Sequence, residues 1–263
     1  MKDKIRVIIP DSHGEHIDRK ARDACLRDIA KLCPQEIVWL GDHLDAGGVF
    51  STHQRAYSKE LTESYADDVE AANRFLDLVQ KAAPGAENHY LFGNHEDHVE
   101  RWAAREFTSR KDADFVSERI GPVSALRLKE RKFKVYRSSE MYHGLSVPGV
   151  IKLGKCFFTH GMSASKHAAN THLSYVGGNI VFGHVHRSLA VVEKTVVSSS
   201  IGAWCPGTLA RLQPLYHHTR PSNWTHGYGV QFVARSGKFF HLNVPIIDGK
   251  SFLMAVVDGV KGK

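Results

Sequence analysis

The sequence predicts an α/β protein whose strands deliver polar residues at their C-terminal ends. Two observations lead there. Short apolar runs stop abruptly at polar turns, four of the five next to a glycine, and stretches with helical apolar spacing lie between them. In open α/β sheets, ligands bind beyond the carboxyl ends of the strands.

The elements follow in order. Ile5–Ile9 runs into Pro10-Asp11-Ser12-His13-Gly14, and Glu36–Leu40 into Gly41-Asp42-His43-Leu44-Asp45. His89–Phe92 runs into Gly93-Asn94-His95-Glu96, Cys156–Thr159 into His160-Gly161, and Asn179–Phe182 into Gly183-His184-Val185-His186. Helical spacing marks Ala21–Lys31, with Cys25, Leu26 and Ile29 on one face. Residues 58–82 form a longer helix carrying Leu61, Tyr65, Val69, Ala72, Phe75, Leu76 and Val79, stopped near Pro84-Gly85. Glu96–Phe107 and Asp112–Ile120 read as two more helices. Lys194–Trp204, Tyr228–Ala234 and Lys238–Val244 read as strands, and Cys205–Gly227 as a loop rich in Pro, His and aromatic residues. With no internal repeat or linker, residues 1–263 read as a single domain, with a helical subregion at about 58–120 and an aromatic, basic loop at about 205–228.

Composition narrows the classes. The chain has 263 residues, of which 42% are apolar and 24% charged, as in an ordinary soluble domain. No apolar run approaches the roughly 18 residues of a membrane span, and the apolar part of residues 1–10 is too short for a signal peptide. The four cysteines (Cys25, Cys33, Cys156, Cys205) form no CxxC pair, so a disulfide framework and a cysteine-rich zinc site are disfavoured, and a reduced, cytoplasmic location is expected. Net charge is +7, unevenly divided: residues 1–126 hold −6 and residues 127–263 hold +13. Such asymmetry suggests a polyanion partner. The densest basic stretch, Arg127 to Arg137, has six cations and one anion. Phe133 and Val135 alternate there with Lys132 and Lys134, as in a half-buried strand. Two readings stay open for it, a nucleic-acid contact and a lysine-protected edge strand.

Seven residues at the strand ends are metal-ligand types: Asp11, His13, Asp42, Asn94, His160, His184 and His186. One ion seldom needs seven protein ligands. Two ions sharing a bridging carboxylate use seven comfortably, and such pairs serve phosphatases and nucleases.

The ordered set D-x-H, G-D-x-x-D, G-N-H-E, H-G and G-H-x-H resembles the calcineurin-like metallophosphoesterase superfamily over residues 5–187, extending to the closing strands near 245. The resemblance implies a four-layer αββα sandwich, with two mixed sheets packed face to face and flanked by helices. It implies that Asp11, His13, Asp42 and His186 bind one divalent metal, and that Asp42, Asn94, His160 and His184 bind a second, with Asp42 bridging. Manganese is the first choice, with iron, zinc and magnesium compatible. It further implies that a hydroxide shared by the metals attacks phosphorus. His95 would protonate the leaving oxygen while Asp45 orients its ring. His43, His98 and His143 read as surface or supporting residues.

The departures bear on substrate. Protein phosphatases of this superfamily carry an Arg after the second Asp of G-D-x-x-D, whereas Asp45 is followed by Ala46-Gly47-Gly48. The Arg after the second histidine motif is also replaced, by Glu96-Asp97-His98. Both argue against a protein phosphatase. Arg187 could hold a phosphate, and Arg101, Trp102 and Arg105 could line the mouth of the site or form an ordinary helix face. In the loop 211–228, Arg211, Tyr216, His217, His218, Arg220, Trp224 and Tyr228 interleave cations and rings, as single-strand binders do. An ordered loop capping the core is the other reading. The expectation is a phosphodiesterase acting on nucleic acid, single-stranded DNA first. The alternatives are a phosphoesterase of nucleotides or other small esters, and a DNA-binding protein with weak catalysis.

Overall fold

A computed structural model describes residues 3–46, 64–194, 196, 200–213 and 221–253. Two mixed sheets carry the chain. The first has seven strands in the order β12-β11-β10-β1-β2-β3-β4. These are β1 (Lys4–Ile9), β2 (Glu36–Trp39), β3 (Glu87–Leu91), β4 (Lys134–Tyr136), β10 (Gly227–Val233), β11 (Phe239–Ile247) and β12 (Lys250–Ser251). The second has five in the order β5-β6-β7-β9-β8: β5 (Ile151–Leu153), β6 (Cys156–Thr159), β7 (Ile180–Phe182), β8 (Ser188–Glu193) and β9 (Ile201–Pro206). β1 to β4 run parallel to one another, as do β6, β7 and β9.

The period of two along a strand decides which layer each side chain joins. Val7, Ile9, Ile37, Trp39 and Tyr90 point to the helix side of the first sheet. There they pack against Cys25 and Ile29 of α1 (Arg19–Leu32) and Phe75, Leu76 and Val79 of α2 (Tyr65–Ala82). Their neighbours Ile8, Val38, Leu40 and Leu91 point the other way and meet Ile151, Phe158 and Val181 of the second sheet. Ile180 and Phe182 then face Ala168, Ala169 and Leu173 of α6 (Ala168–Val176). The layers are therefore helix, sheet, sheet, helix, the sandwich that the motif order implies. Between α2 and β5 lie α3 (Asp97–Glu106), α4 (Arg110–Ile120) and α5 (Pro122–Ala125).

Local signals explain the helix boundaries. Asp18 caps α1 by accepting from Ala21 N at 2.8 Å, and Ser64 and Ser109 cap α2 and α4 in the same way. The expected helix 58–82 is described from Tyr65 onward, and residues 58–63 lie outside the described set. Two expectations need correction. The basic stretch is extended only over Lys134–Tyr136. Arg127 and Lys132 adopt left-handed φ values of 53° and 60°, which break the strand so that Leu128 and Phe133 can both reach the core. The strand expected over Lys194–Trp204 begins at Ile201 and pairs with β8, a strand that sequence periodicity did not separate out. Among the described residues, no helix is long and apolar enough to cross a membrane.

Candidate metal centre

The C-terminal ends of β1, β2, β3, β6 and β7 converge, each followed by one motif. Glycine makes the approach possible. A Cβ on Gly93 would lie 2.1 Å from Asp42 Oδ1, and one on Gly183 would lie 2.6 Å from Asp11 Oδ1. The ligand-type residues themselves carry strain: His13, Asp42, His184 and His186 have φ between 48° and 68°. Left-handed φ at four non-glycine residues of one cluster is typical of functional sites.

Three overlapping donor sets form. Asp11, His13 and His186 make one; Asp42, His160 and His184 make another. A third, His13, Asp42 and His95, places Asp42 between them. His186 Nε2 stands 3.0 Å from Asp11 Oδ2 and 3.1 Å from His13 Nε2. His160 Nε2 stands 3.0 Å from Asn94 Oδ1, 3.1 Å from Asp42 Oδ2 and 3.2 Å from His184 Nδ1. All seven residues read as ligands from the sequence are thus brought together.

Whether these groups fit a cation can be decided from their tautomers. His160 Nδ1 donates to the Leu40 carbonyl at 2.9 Å. In the neutral ring, Nε2 is then a lone pair aimed at a carboxylate oxygen, an amide oxygen and another ring nitrogen. His13 repeats the pattern, with Nδ1 donating to Asp45 Oδ1 at 2.8 Å and Nε2 turned to His186. Lone pairs facing lone pairs repel unless a positive charge sits among them. Imidazoles oriented by a carbonyl or carboxylate behind them are the usual support of metal-binding histidines. The donor groups fit divalent metal.

The titration behaviour agrees. Burial opposes charge on His160, but Asp42 and Asp11 override it and raise the imidazole to about 10. Burial would raise Asp11, yet His186 and His160 hold it at about 2. Asp42 is held well below the usual carboxylate range against its burial, chiefly by His160 and His95. Burial and the neighbouring His160 keep His184 neutral, with its pKa at about 4.

His95 belongs to the third set. Its Nδ1 donates to the main-chain carbonyl of Asp45 at 2.6 Å, and its Nε2 lies 3.9 Å from Asp42 Oδ2. Burial works against protonation, but Asp42 and Asp45 raise its pKa above the ordinary value. The sequence expectation gave Asp45 the task of orienting His95 through its carboxylate. In the structure the carboxylate binds His13, lies 3.5 Å from His95 Nδ1, and leaves the orienting bond to its own backbone oxygen.

Two carboxylates missed at the sequence level hold this arrangement. Glu96 is fully buried and accepts from Asp42 N, His43 N, Gly93 N and the Tyr90 hydroxyl at 2.7–2.9 Å. It ties the β2 turn to the β3 turn. Asp68, also buried, accepts from Asp45 N and Ala46 N at 3.0 Å and from Glu15 N at 3.3 Å. The last letter of G-N-H-E was visible for Glu96; nothing in sequence marked Asp68. His43 is buried against Trp39 and bonds Ser12 Oγ at 2.9 Å, His98 packs against His95, and His143 is exposed.

The residues expected to bind substrate divide. The Trp224 ring meets His186 edge-on at 4.0 Å, which brings this residue of the loop to the first donor set. Arg187 donates to the Ser165 carbonyl at 2.8 Å, and Arg211 is exposed with its N–H bonded to the His16 carbonyl. Tyr216 and Arg220 lie outside the described residues, as do His217 and His218. Arg101 reaches the Asn94 carbonyl. Three of the six cations in the basic stretch are neutralised from within: Arg131 pairs with Asp77 at 2.6 Å, Lys134 with Glu87 and Arg137 with Glu100.

No family model and no curated protein matches the chain. Among solved structures it is similar to a hypothetical protein of Pyrococcus horikoshii, at 11% identity and TM-score 0.47, covering 98% of this chain and 92% of that one. It is similar to vacuolar protein sorting 29 of Cryptosporidium parvum, at 11% identity and TM-score 0.46, covering 95% of each chain. It is also similar to YfcE, a phosphoesterase of E. coli, at 17% identity and TM-score 0.38, covering 91% of this chain and 98% of that one. Two mixed sheets between helical layers, expected from the order of the motifs, are the fold observed.

Proposed function

We propose that the chain is a dinuclear-metal phosphoesterase that hydrolyses phosphodiester bonds, with nucleic acid, single-stranded DNA first, as its substrate class. The observation that carries the hydrolase reading is the convergence at His160 Nε2 of an amide oxygen, a carboxylate oxygen and a second imidazole nitrogen, all groups that ligate metals. Asp11, His13, Asp42 and His186 would hold one ion; Asp42, Asn94, His160 and His184 would hold the other. Two divalent ions bound there supply a water acidified from pKa 15.7 to about 7 and neutralise charge on the phosphoryl oxygens.

The remaining work falls to the chain. Leu40 and Asp45 fix the tautomers of His160 and His13. Asn94 offers a neutral oxygen, which limits the negative charge facing an anionic ester. His95 keeps a proton on the ring nitrogen that faces the donor sets, ready for the leaving oxygen, and the neighbouring carboxylates favour that protonated form.

Trp224 supports the nucleic-acid reading, because a ring beside the donor sets offers a base a stacking surface. The internal pairing of Arg131, Lys134 and Arg137 favours a second reading, hydrolysis of nucleotides or other small phosphate esters. The test is hydrolysis of bis-p-nitrophenyl phosphate, p-nitrophenyl phosphate and labelled single-stranded DNA after loading with manganese, iron, zinc or magnesium. Diester and DNA cleavage with little monoesterase activity is expected. Silence on every ester with all four metals would remove the phosphoesterase reading. Diester cleavage without DNA binding at low salt would leave the small-ester reading.

A further inference from the structure

A cleft of about 310 Å³ opens beside the second donor set, bordered by Asn94, His160 and His184. Its size is at the lower end of the roughly 300–1,000 Å³ of small-molecule sites. We propose that this cleft seats one substituent of the phosphodiester, and that it takes an uncharged group of nucleoside size rather than a stretch of chain carrying further phosphates. The inference rests on the phosphodiesterase reading and names which organic arm the site accepts.

The lining carries the argument. Phe92, Pro148 and Met162 give apolar surface, and Gly93, Gly149 and Gly161 let the backbone of the wall pack closely on Asp42, Ser138 and His184. The acidic side chain in the wall is Asp97, and among the described residues the wall contains no Lys or Arg. A second phosphate would therefore meet a carboxylate in the wall, whose neighbouring cation, Arg101, is not itself part of the lining. A hydroxyl or ring N–H of a nucleoside would instead find an acceptor. Trp224 lies against the other donor set, at His186. The two arms of a diester would thus meet different surroundings, a ring on one side and a cleft on the other.

The walls are held from behind. Met162 N donates to His172 Nε2 at 2.9 Å, while His172 Nδ1 donates to the Ala168 carbonyl at 2.7 Å. The His172 ring stacks on Phe182 at 3.8 Å. Opposite, Ser138 Oγ donates to Asp97 Oδ2 at 2.5 Å, and Gly149 N donates to the Glu140 carbonyl at 2.9 Å. A cleft fixed in this way loses little entropy on binding.

The experiment compares three esters on the metal-loaded protein: methyl p-nitrophenyl phosphate, thymidine 5′-(p-nitrophenyl) phosphate, and the latter with a 3′-phosphate. The thymidine arm should raise kcat/KM at least about tenfold over methyl, and the added phosphate should remove most of that gain. Ala164→Trp, a substitution at an exposed residue of the cleft wall, should reduce the thymidine-to-methyl ratio to below about threefold. Asp97→Asn should restore part of the loss caused by the 3′-phosphate. Equal kcat/KM for methyl and thymidine esters overturns the inference and leaves the phosphodiesterase reading intact. Absence of turnover on all three overturns that reading instead. Saturation-transfer NMR with free thymidine then decides the cleft alone: transfer seen in the wild type and lost in Ala164→Trp upholds it, and no transfer, or transfer unchanged by the substitution, overturns it.

Discussion

The parallel strands carry two clusters of histidine and carboxylate, one at each end. At the C-terminal ends lie Asp11, His13, Asp42, His160, His184 and His186. At the N-terminal ends lie Glu36, Glu87 and His89. By composition both could hold a metal. They differ in what stands beside the carboxylates. Glu36 is gripped by Lys4 and by Arg6, whose guanidinium reaches it at 2.6 Å and bonds Gln231 at 2.7 Å; Glu87 is paired with Lys134. The protein's own cations already neutralise that end. The other end has no Lys or Arg among its donors and borrows charge from its imidazoles, which is why His160 is driven to about 10. Ligand types do not identify a metal centre; an unfilled demand for positive charge does.

The largest test of that contrast is to remove the shared carboxylate. Asp42→Ala should lose at least one bound ion by elemental analysis and reduce turnover to background, whereas Glu36→Gln should leave metal content unchanged. Glu36→Gln should instead cost about 3–5 kcal/mol in urea unfolding, because it strands the buried Arg6 charge. His95→Ala should keep both ions and lower turnover on poor leaving groups about 100-fold. Retained rates on such substrates would remove His95 from the acid role.

Protons give a further test. A histidine raised from 6.5 to about 10 by folding stabilises the metal-free protein fully below pH 6.5, and that contribution is lost as pH rises through about 10. Metal must displace the same proton. Binding near pH 8 should therefore release at least one proton, measured by calorimetry in buffers of different ionisation enthalpy, and apparent affinity should rise with pH until His160 is deprotonated. The smallest effect is expected at Lys134→Ala. Its partner pair is about half exposed, so stability should fall by less than about 1 kcal/mol.

Much of the centre was legible because each motif is local: a strand, a glycine and a polar residue within a few positions. What escaped the sequence was the long-range pairing. Asp68 supports Asp45 from 23 positions away, and Lys134 reaches Glu87 across 47. No periodicity reports such partners. The +13 half was therefore read as freer to meet a polyanion than its paired cations are. The atom through which Asp45 orients His95 was not legible for a related reason. Carboxylate and carbonyl of one residue compete for nearby rings, and only three-dimensional placement shows that His13 takes the first and His95 the second.

The donors do not come from one sheet. Asp11, Asp42 and Asn94 follow strands of the first sheet, and His160, His184 and His186 follow strands of the second. Ions held between them would act as rivets across the seam where Ile8, Val38 and Leu91 meet Phe158 and Val181. Chelation would then loosen the seam at one end only, and the two sheets would begin to shear from the edge that carries the donors.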